Sequence, residues 1–175
     1  MHVLQWIATT ADDKDEAFLR VKDYLETAMG SPDSYASWYD WFVVGGGRWN
    51  PNEGSQYDDT DQSMTLSYET DPDLFEEQVL KAMEDRKTEF DNYAKDVNPD
   101  ILNKIITEYN PREKDFGVFQ ELYVIKKVID MAYGEWDFNS YFFDMENDTT
   151  TPKYMFEAID KETKNWYLVA VDFHF

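Results

Sequence analysis

Apolar positions along this chain come in two rhythms, and the switches between them predict its elements. Residues 2–8 are apolar at almost every step, which predicts a strand covered on both faces. Thr10 or Asp12 then offers an oxygen to the free N–H groups of a first helical turn. Phe18, Val21, Leu25 and Ala28 recur at helical spacing until Gly30 stops that helix, and residues 31–34 form a turn. Residues 38–44 are aromatic and β-branched without helix formers, so a second strand is expected there. Gly45, Gly46 and Gly47 turn the chain next, or let another backbone come close. Residues 50–64 have loop composition, and residues 64–68 alternate weakly, as a short edge strand would.

The longest helix is expected from Asp71-Pro72-Asp73 to about Val97, because Pro fits a first turn and acids there complement the helix dipole. Phe75, Val79, Met83, Phe90, Tyr93 and Val97 give it one apolar face, with Glu77–Lys81 and Asp91–Lys95 as four-residue charge pairs on the other. Asn98-Pro99 breaks it, and Ile101, Ile105 and Tyr109 mark a second helix over residues 100–109. After a linker at 111–117, Phe119, Leu122, Ile125, Ile129 and Ala132 mark a third that ends at Gly134. Strand signals then return at 138–144. Residues 154–160 and 166–175 are expected to pair as a hairpin about a turn at 161–165. In the final strand Tyr167, Val169, Val171, Phe173 and Phe175 share the core face, and Asp172 and His174 share the opposite one. This order predicts a single α+β domain: a largely antiparallel sheet of about five strands with three to four helices packed on it.

Composition changes that picture in one respect. The 175 residues can bury about 70% of their unfolded surface, and six Trp, 12 Tyr and 12 Phe supply core volume. Yet the mean hydropathy is −0.69, and 37 acids against 16 bases leave a net charge of −21 with a pI near 4.2. From 49 to 80 there is no Lys or Arg, while Glu53, Asp58, Asp59, Asp61, Glu69, Asp71, Asp73, Glu76 and Glu77 accumulate. Residues 134–152 are equally free of base. Such a field repels nucleic acid and anionic lipid, and attracts basic proteins, including those that themselves bind nucleic acid. Acidity that serves only solubility, or life in salt, reads the same way. No cysteine is present, which excludes disulfides, thiolate metal sites and a Cys nucleophile. No apolar run reaches the roughly 20 residues of a membrane span, and no leader pattern precedes residue 3. A cytoplasmic protein is expected.

Candidate chemistry concentrates at residues 37–51, where three tryptophans, three glycines and an arginine lie together. Gly45-Gly46-Gly47-Arg48 can form an anion nest, with backbone N–H groups and a guanidinium converging on a phosphate or carboxylate. A bulge or hairpin needs the same glycines, with Arg48 paired to Asp40 or another acid. The run is neither a P-loop nor a dinucleotide fingerprint. Asp172 and His174, two apart on one strand face, can share a divalent metal or act as a base with its orienting group, and His2 can join them across adjacent strands. The plain alternative is a surface Asp and His near a chain end. The acids from Asp58 to Asp61 lack the Gly of a calcium loop, and no G-x-S-x-G nucleophile motif occurs. Trp38, Trp41, Trp49, Trp136 and Trp166 cannot all sit on one core face, and tryptophan outside a core anchors interfaces.

The run Trp-Tyr-Asp-Trp-Phe-Val-Val-Gly-Gly-Gly-Arg-Trp resembles a pattern in small uncharacterised phage and actinobacterial proteins. In those, an aromatic-Asp-aromatic strand leads into Gly-Gly-Arg-Trp and the chain closes on Asp-x-His. Asp40, Trp41, Gly46, Gly47, Arg48, Trp49, Asp172 and His174 carry the likeness; the third glycine and the aromatic after His174 depart from it. The resemblance implies a phage-type origin and a common site for Arg48, Asp172 and His174, without a mechanism. Charge and aromatics together point to a non-enzymatic inhibitor that occupies a basic surface on a host nucleic-acid-handling protein. Its binding surface would use Glu53, Asp58, Asp59, Asp61, Glu69, Trp49 and Trp136, with no cofactor. The alternative is a nucleotide-like ligand site, or a metal-dependent hydrolase, built from Trp41, Gly46, Gly47, Arg48, Asp172 and His174.

Overall fold

The computed structural model describes residues 1–30, 38–52, 54–108 and 116–175. The architecture is organised around the two end strands of the chain. β1 (His2–Thr10) and β5 (Trp166–His174) pair antiparallel along their full length, from His2 opposite His174 to Thr10 opposite Trp166. The far edge of β5 is shared by two short strands lying end to end, β2 (Trp41–Val44) and β3 (Thr65–Ser67). On the outer edge of β1 lies β4 (Phe142–Asp144), parallel to it, with Trp6 opposite Phe142. The sheet is therefore α+β in class and largely antiparallel, as the order of elements predicts.

Helices cover both faces. α1 (Lys14–Gly30) lays Phe18, Val21 and Leu25 on the face formed by Ile7, Val169, Val171 and Phe173. On the opposite face, Phe75 and Val79 of α2 (Pro72–Lys95) join Met155 and Ile159 of α5 (Lys153–Asp160) over Trp6, Trp166, Leu168 and Ala170. α4 (Phe116–Tyr133) packs against α2, and α3 (Asp100–Glu108) against α4. Both faces of β1 and β5 are thus apolar for most of their length, and complete burial of one Phe or Leu contributes about 1.5–3 kcal/mol. Among the described residues no helix is long and apolar enough to cross a membrane.

Several expectations are corrected. Residues 154–160 form the helix α5, so β5 has no hairpin partner there; Met155 and Ile159, both buried, are one helical turn apart. The second face of β5 is no solvent face, because Trp166, Leu168 and Ala170 are buried on it. The strand expected at 38–44 begins at Trp41, and that at 138–144 at Phe142, after Tyr141 at φ 58°. The cap of α1 is Asp13: its Oδ1 accepts the Glu16 amide at 2.8 Å, while Glu16 Oε2 accepts the Asp12 amide at 2.7 Å. On α2, Asp91 pairs with Lys87, Lys95 donates to Asn92, and Glu77 makes no ion pair with Lys81. Among the described residues there are five α-helices where three to four were expected. The turn at 31–34, most of the linker at 111–117, Glu53 and Tyr109 lie outside the described residues.

Candidate functional site

Past Ala170, the α2–α5 face of the sheet runs out of helix cover. Asp172 and His174 on β5, His2 and Leu4 on β1, and Trp41 and Val43 on β2 share this end of the face, because strand partners point the same way. A three-residue 3₁₀ turn, Gly47–Trp49, folds over it instead. Gly45, Gly46 and Gly47 have φ of 95°, 88° and 49°, the left-handed region that glycine enters without cost. Space demands glycine as well. A Cβ on Gly45 would lie 2.1 Å from the Asp61 carbonyl oxygen, and one on Gly47 would lie 2.7 Å from the Asp172 carboxylate.

This close approach brings donors onto a wholly buried carboxylate. The Arg48 backbone N–H donates to Asp172 Oδ2 at 3.2 Å, and the Trp49 indole N–H to Oδ1 at 3.3 Å. His2 Nδ1 stands 3.0 and 3.2 Å from the two oxygens. The donors around this anion are not the glycine amides or the Arg48 guanidinium expected of an anion nest; the glycine turn instead carries the Arg48 amide and the Trp49 indole onto the protein's own Asp172. A carboxylate only accepts, so His2 donates from Nδ1, and in the neutral imidazole Nε2 is then the ring's acceptor. His2 Nε2 has no partner among the described residues.

Aromatic rings hold the imidazoles in place. Trp41 stacks on His174 at 5.1 Å and 9°, and His2 meets both edge-on, at 5.2 and 4.9 Å. His174 Nδ1 lies 3.3 Å from the Asp40 carboxylate, in a direction that makes no hydrogen bond. Asp172 and His174 therefore serve different partners. Among the described residues, no three His, Asp or Glu side chains are placed to hold a metal ion. The Arg48 guanidinium is exposed and has no ion partner among the described residues, since Asp40 faces His174.

Between β1 and α2, beside the His2 ring, opens a cleft of about 300 Å³. His2, Leu4 and Trp6 of β1, Trp49, and Gln78, Lys81 and Asp85 of α2 line it. Tyr141 borders it as well, its hydroxyl pushed up to about 12, first by burial and then by the Glu89 and Asp85 carboxylates. Nothing in the periodicity of α2 marks Gln78 or Asp85, because the cleft exists only once β1 lies beside that helix. Lys81, taken as half of a surface pair, also turns out to be a cleft residue.

The chain from Gly45 to Met64 is a compact excursion closed at its base. Asn50, buried, donates to the Gly45 carbonyl at 3.0 Å and to Ser63 Oγ at 2.9 Å. Asp59 accepts from Lys22 of α1 at 2.7 Å, and this bond raises the lysine above its ordinary range. Asp61 accepts the Ser63 amide at 2.8 Å, and Asp58 accepts the Thr60 amide at 2.9 Å. Tyr57 is 76% exposed and Trp49 47%, both on this excursion. Glu69 is exposed just beyond β3. Trp136 stands apart from them: it stacks on Phe143 at 4.3 Å and donates its indole N–H to the buried Gln5 at 2.8 Å. Trp166 is buried in the core, and Trp38 packs on Phe173.

Fold and site together define an α+β protein whose β1 and β5 bring a buried Asp172 and a partly exposed His2 together under a glycine turn. Set against protein-family models, curated proteins and solved structures, the chain matches none.

Proposed function

We propose that this chain is a non-enzymatic, phage-type inhibitor that occupies a basic, nucleic-acid-binding surface on a host protein such as a nuclease, a restriction or CRISPR effector, or a polymerase. The observation that carries the reading is the 45–64 excursion. It exposes Trp49 and Tyr57 within the segment from Trp49 onward that carries no Lys or Arg, beside Asp58, Asp59 and Asp61, on a chain of net charge −21. The excursion is pinned by Asn50, by Lys22–Asp59 and by the Trp49–Asp172 bond, so the Trp49 ring is held in place before any partner arrives. Carboxylates steer a cationic surface into contact, and the exposed rings supply most of the affinity.

The test is displacement. Purified nucleases, effectors and polymerases, each holding a labelled duplex, are titrated with the chain at low and at high salt. The duplex is expected to leave at least one of them, less readily at high salt, with at least a tenfold loss on Trp49→Ala or Tyr57→Ala. No displacement at either salt, or displacement indifferent to both substitutions, overturns the reading.

A further inference from the structure

We propose that the cleft between β1 and α2 binds a small uncharged heteroaromatic, of the free nucleobase or nucleoside class, with His2 as its hydrogen-bond acceptor. The starting point is an unspent group. The His2 ring is held by Asp172 through Nδ1 and packed edge-on against Trp41 and His174, so its orientation is fixed and, as the neutral ring, it carries its proton on Nδ1. Its remaining nitrogen has no protein partner among the described residues, and the ring lines the cleft. An acceptor fixed by a buried carboxylate in a hollow also lined by Leu4 and Trp6 is the arrangement that selects a ring N–H or hydroxyl in a ligand.

The other walls narrow the class. The half-exposed Trp49 indole, anchored by its own N–H bond to Asp172, offers a face on which a flat ring can stack. The Gln78 amide adds one donor and one acceptor, a pair suited to a base edge. A volume of about 300 Å³ lies at the small end of ligand sites, enough for one or two fused rings with a sugar and too small for a dinucleotide. Lys81 and Asp85, one helical turn apart on the cleft wall, carry opposite charges, and the whole chain repels anions. A phosphate therefore weakens binding.

This inference stands apart from the docking reading. Trp49 belongs to both, whereas Tyr57 belongs only to the excursion and His2 and Gln78 only to the cleft. The experiment uses the full chain, ¹⁵N-labelled, titrated with adenosine, guanosine, cytidine, uridine, their free bases and their 5′-monophosphates. At least one base or nucleoside is expected to shift the His2 ring, Trp49 indole and Gln78 amide resonances saturably. Its monophosphate should bind at least tenfold more weakly. His2→Gln should reduce affinity at least tenfold, and Tyr57→Ala should leave it unchanged. Should His2→Gln lose its dispersed spectrum, Gln78→Ala, on the surface of α2, takes its place with the same expected direction. The proposal is overturned by the absence of saturable shifts at these three side chains, by monophosphates that bind as well as nucleosides, or by affinity that survives both cleft substitutions.

Discussion

Two carboxylates secure the two ends of β1, and they are held by different kinds of donor. At the Thr10 end, Glu146 Oε1 accepts the Thr9 hydroxyl at 2.9 Å, the Thr10 amide at 3.1 Å and the Arg20 guanidinium at 2.9 Å. At the His2 end, Asp172 accepts an imidazole, an indole and a backbone amide. Both arrangements satisfy a carboxylate that the sheet has taken out of water, and both tie a loop to the central strands. Arginine brings a permanent charge that answers Glu146 directly. Histidine answers Asp172 with one nitrogen and keeps another for a neighbour. Both ends border a hollow, since Thr10 and Arg20 line one of about 360 Å³, but at the His2 end the lining ring keeps a nitrogen with no partner among the described residues, which is why candidate chemistry is sought there.

Substitutions at the two ends sharpen that contrast. The largest effect is expected from Asp172→Ala, which leaves the His2, Arg48 and Trp49 donors without an acceptor under the glycine turn. Orphaned buried donors cost about 1–3 kcal/mol each before relaxation, so a loss of about 2–4 kcal/mol is expected by urea unfolding, together with release of the Trp49 indole seen in its fluorescence. A loss below about 1 kcal/mol would mean that the turn is held by its own backbone and that the contrast is empty.

Glu146→Gln should cost less, about 1 kcal/mol at neutral pH, because Arg20 is partly in water and the amide still accepts from Thr9 or Thr10. Its signature is in the pH dependence. Burial pushes the Glu146 carboxyl up, but the Thr10 amide, the Thr9 hydroxyl and Arg20 together outweigh it and hold the group below its ordinary range. A carboxyl lowered in the folded state contributes stability above its unfolded value, about 4.3, and loses it as pH falls through the folded one. The native chain should therefore lose stability below about pH 5 more steeply than Glu146→Gln, when melting is followed across that range. Asp144 shifts the other way, raised mainly by burial, so the substitution at 146 is what isolates the part due to Glu146. Equal slopes would show that Arg20 does not hold this end.

Arg48→Ala should do least. Only its backbone N–H touches Asp172, so a change within about 0.5 kcal/mol is expected in the same melts. A larger loss would assign the guanidinium a role at the His2 end that its exposed position does not give it.

Legibility differed between these regions for identifiable reasons. The unbroken apolar run of β1, the proline-opened α2 and the three-glycine turn were plain from residue types, since each answers to a local rule of periodicity, ring geometry or φ. That Asp172 and His174 share a strand face followed from the two-residue repeat. Which of them would meet His2 did not, because it rests on a register between strands 170 residues apart. Met155 and Ile159 fit a helix as well as a strand over so short a segment, and the hairpin expectation failed there. Trp136 looked available for an interface only because composition cannot tell which side of a sheet a ring will cover.

By itself the sequence determined that an acidic, aromatic-rich chain would fold as α+β, that glycine had to stand at 45–47, and that no cysteine chemistry was open to it. Only the tertiary structure decided that the anion under the glycine turn is Asp172, that His2 lines a cleft, and that Trp49 and Tyr57 are exposed while Trp136 is half-buried against Phe143. The physical reason is reach. Propensity and periodicity act over a few residues, whereas the His2–Asp172 pair forms when the burial of two sheet faces brings the ends of the chain together.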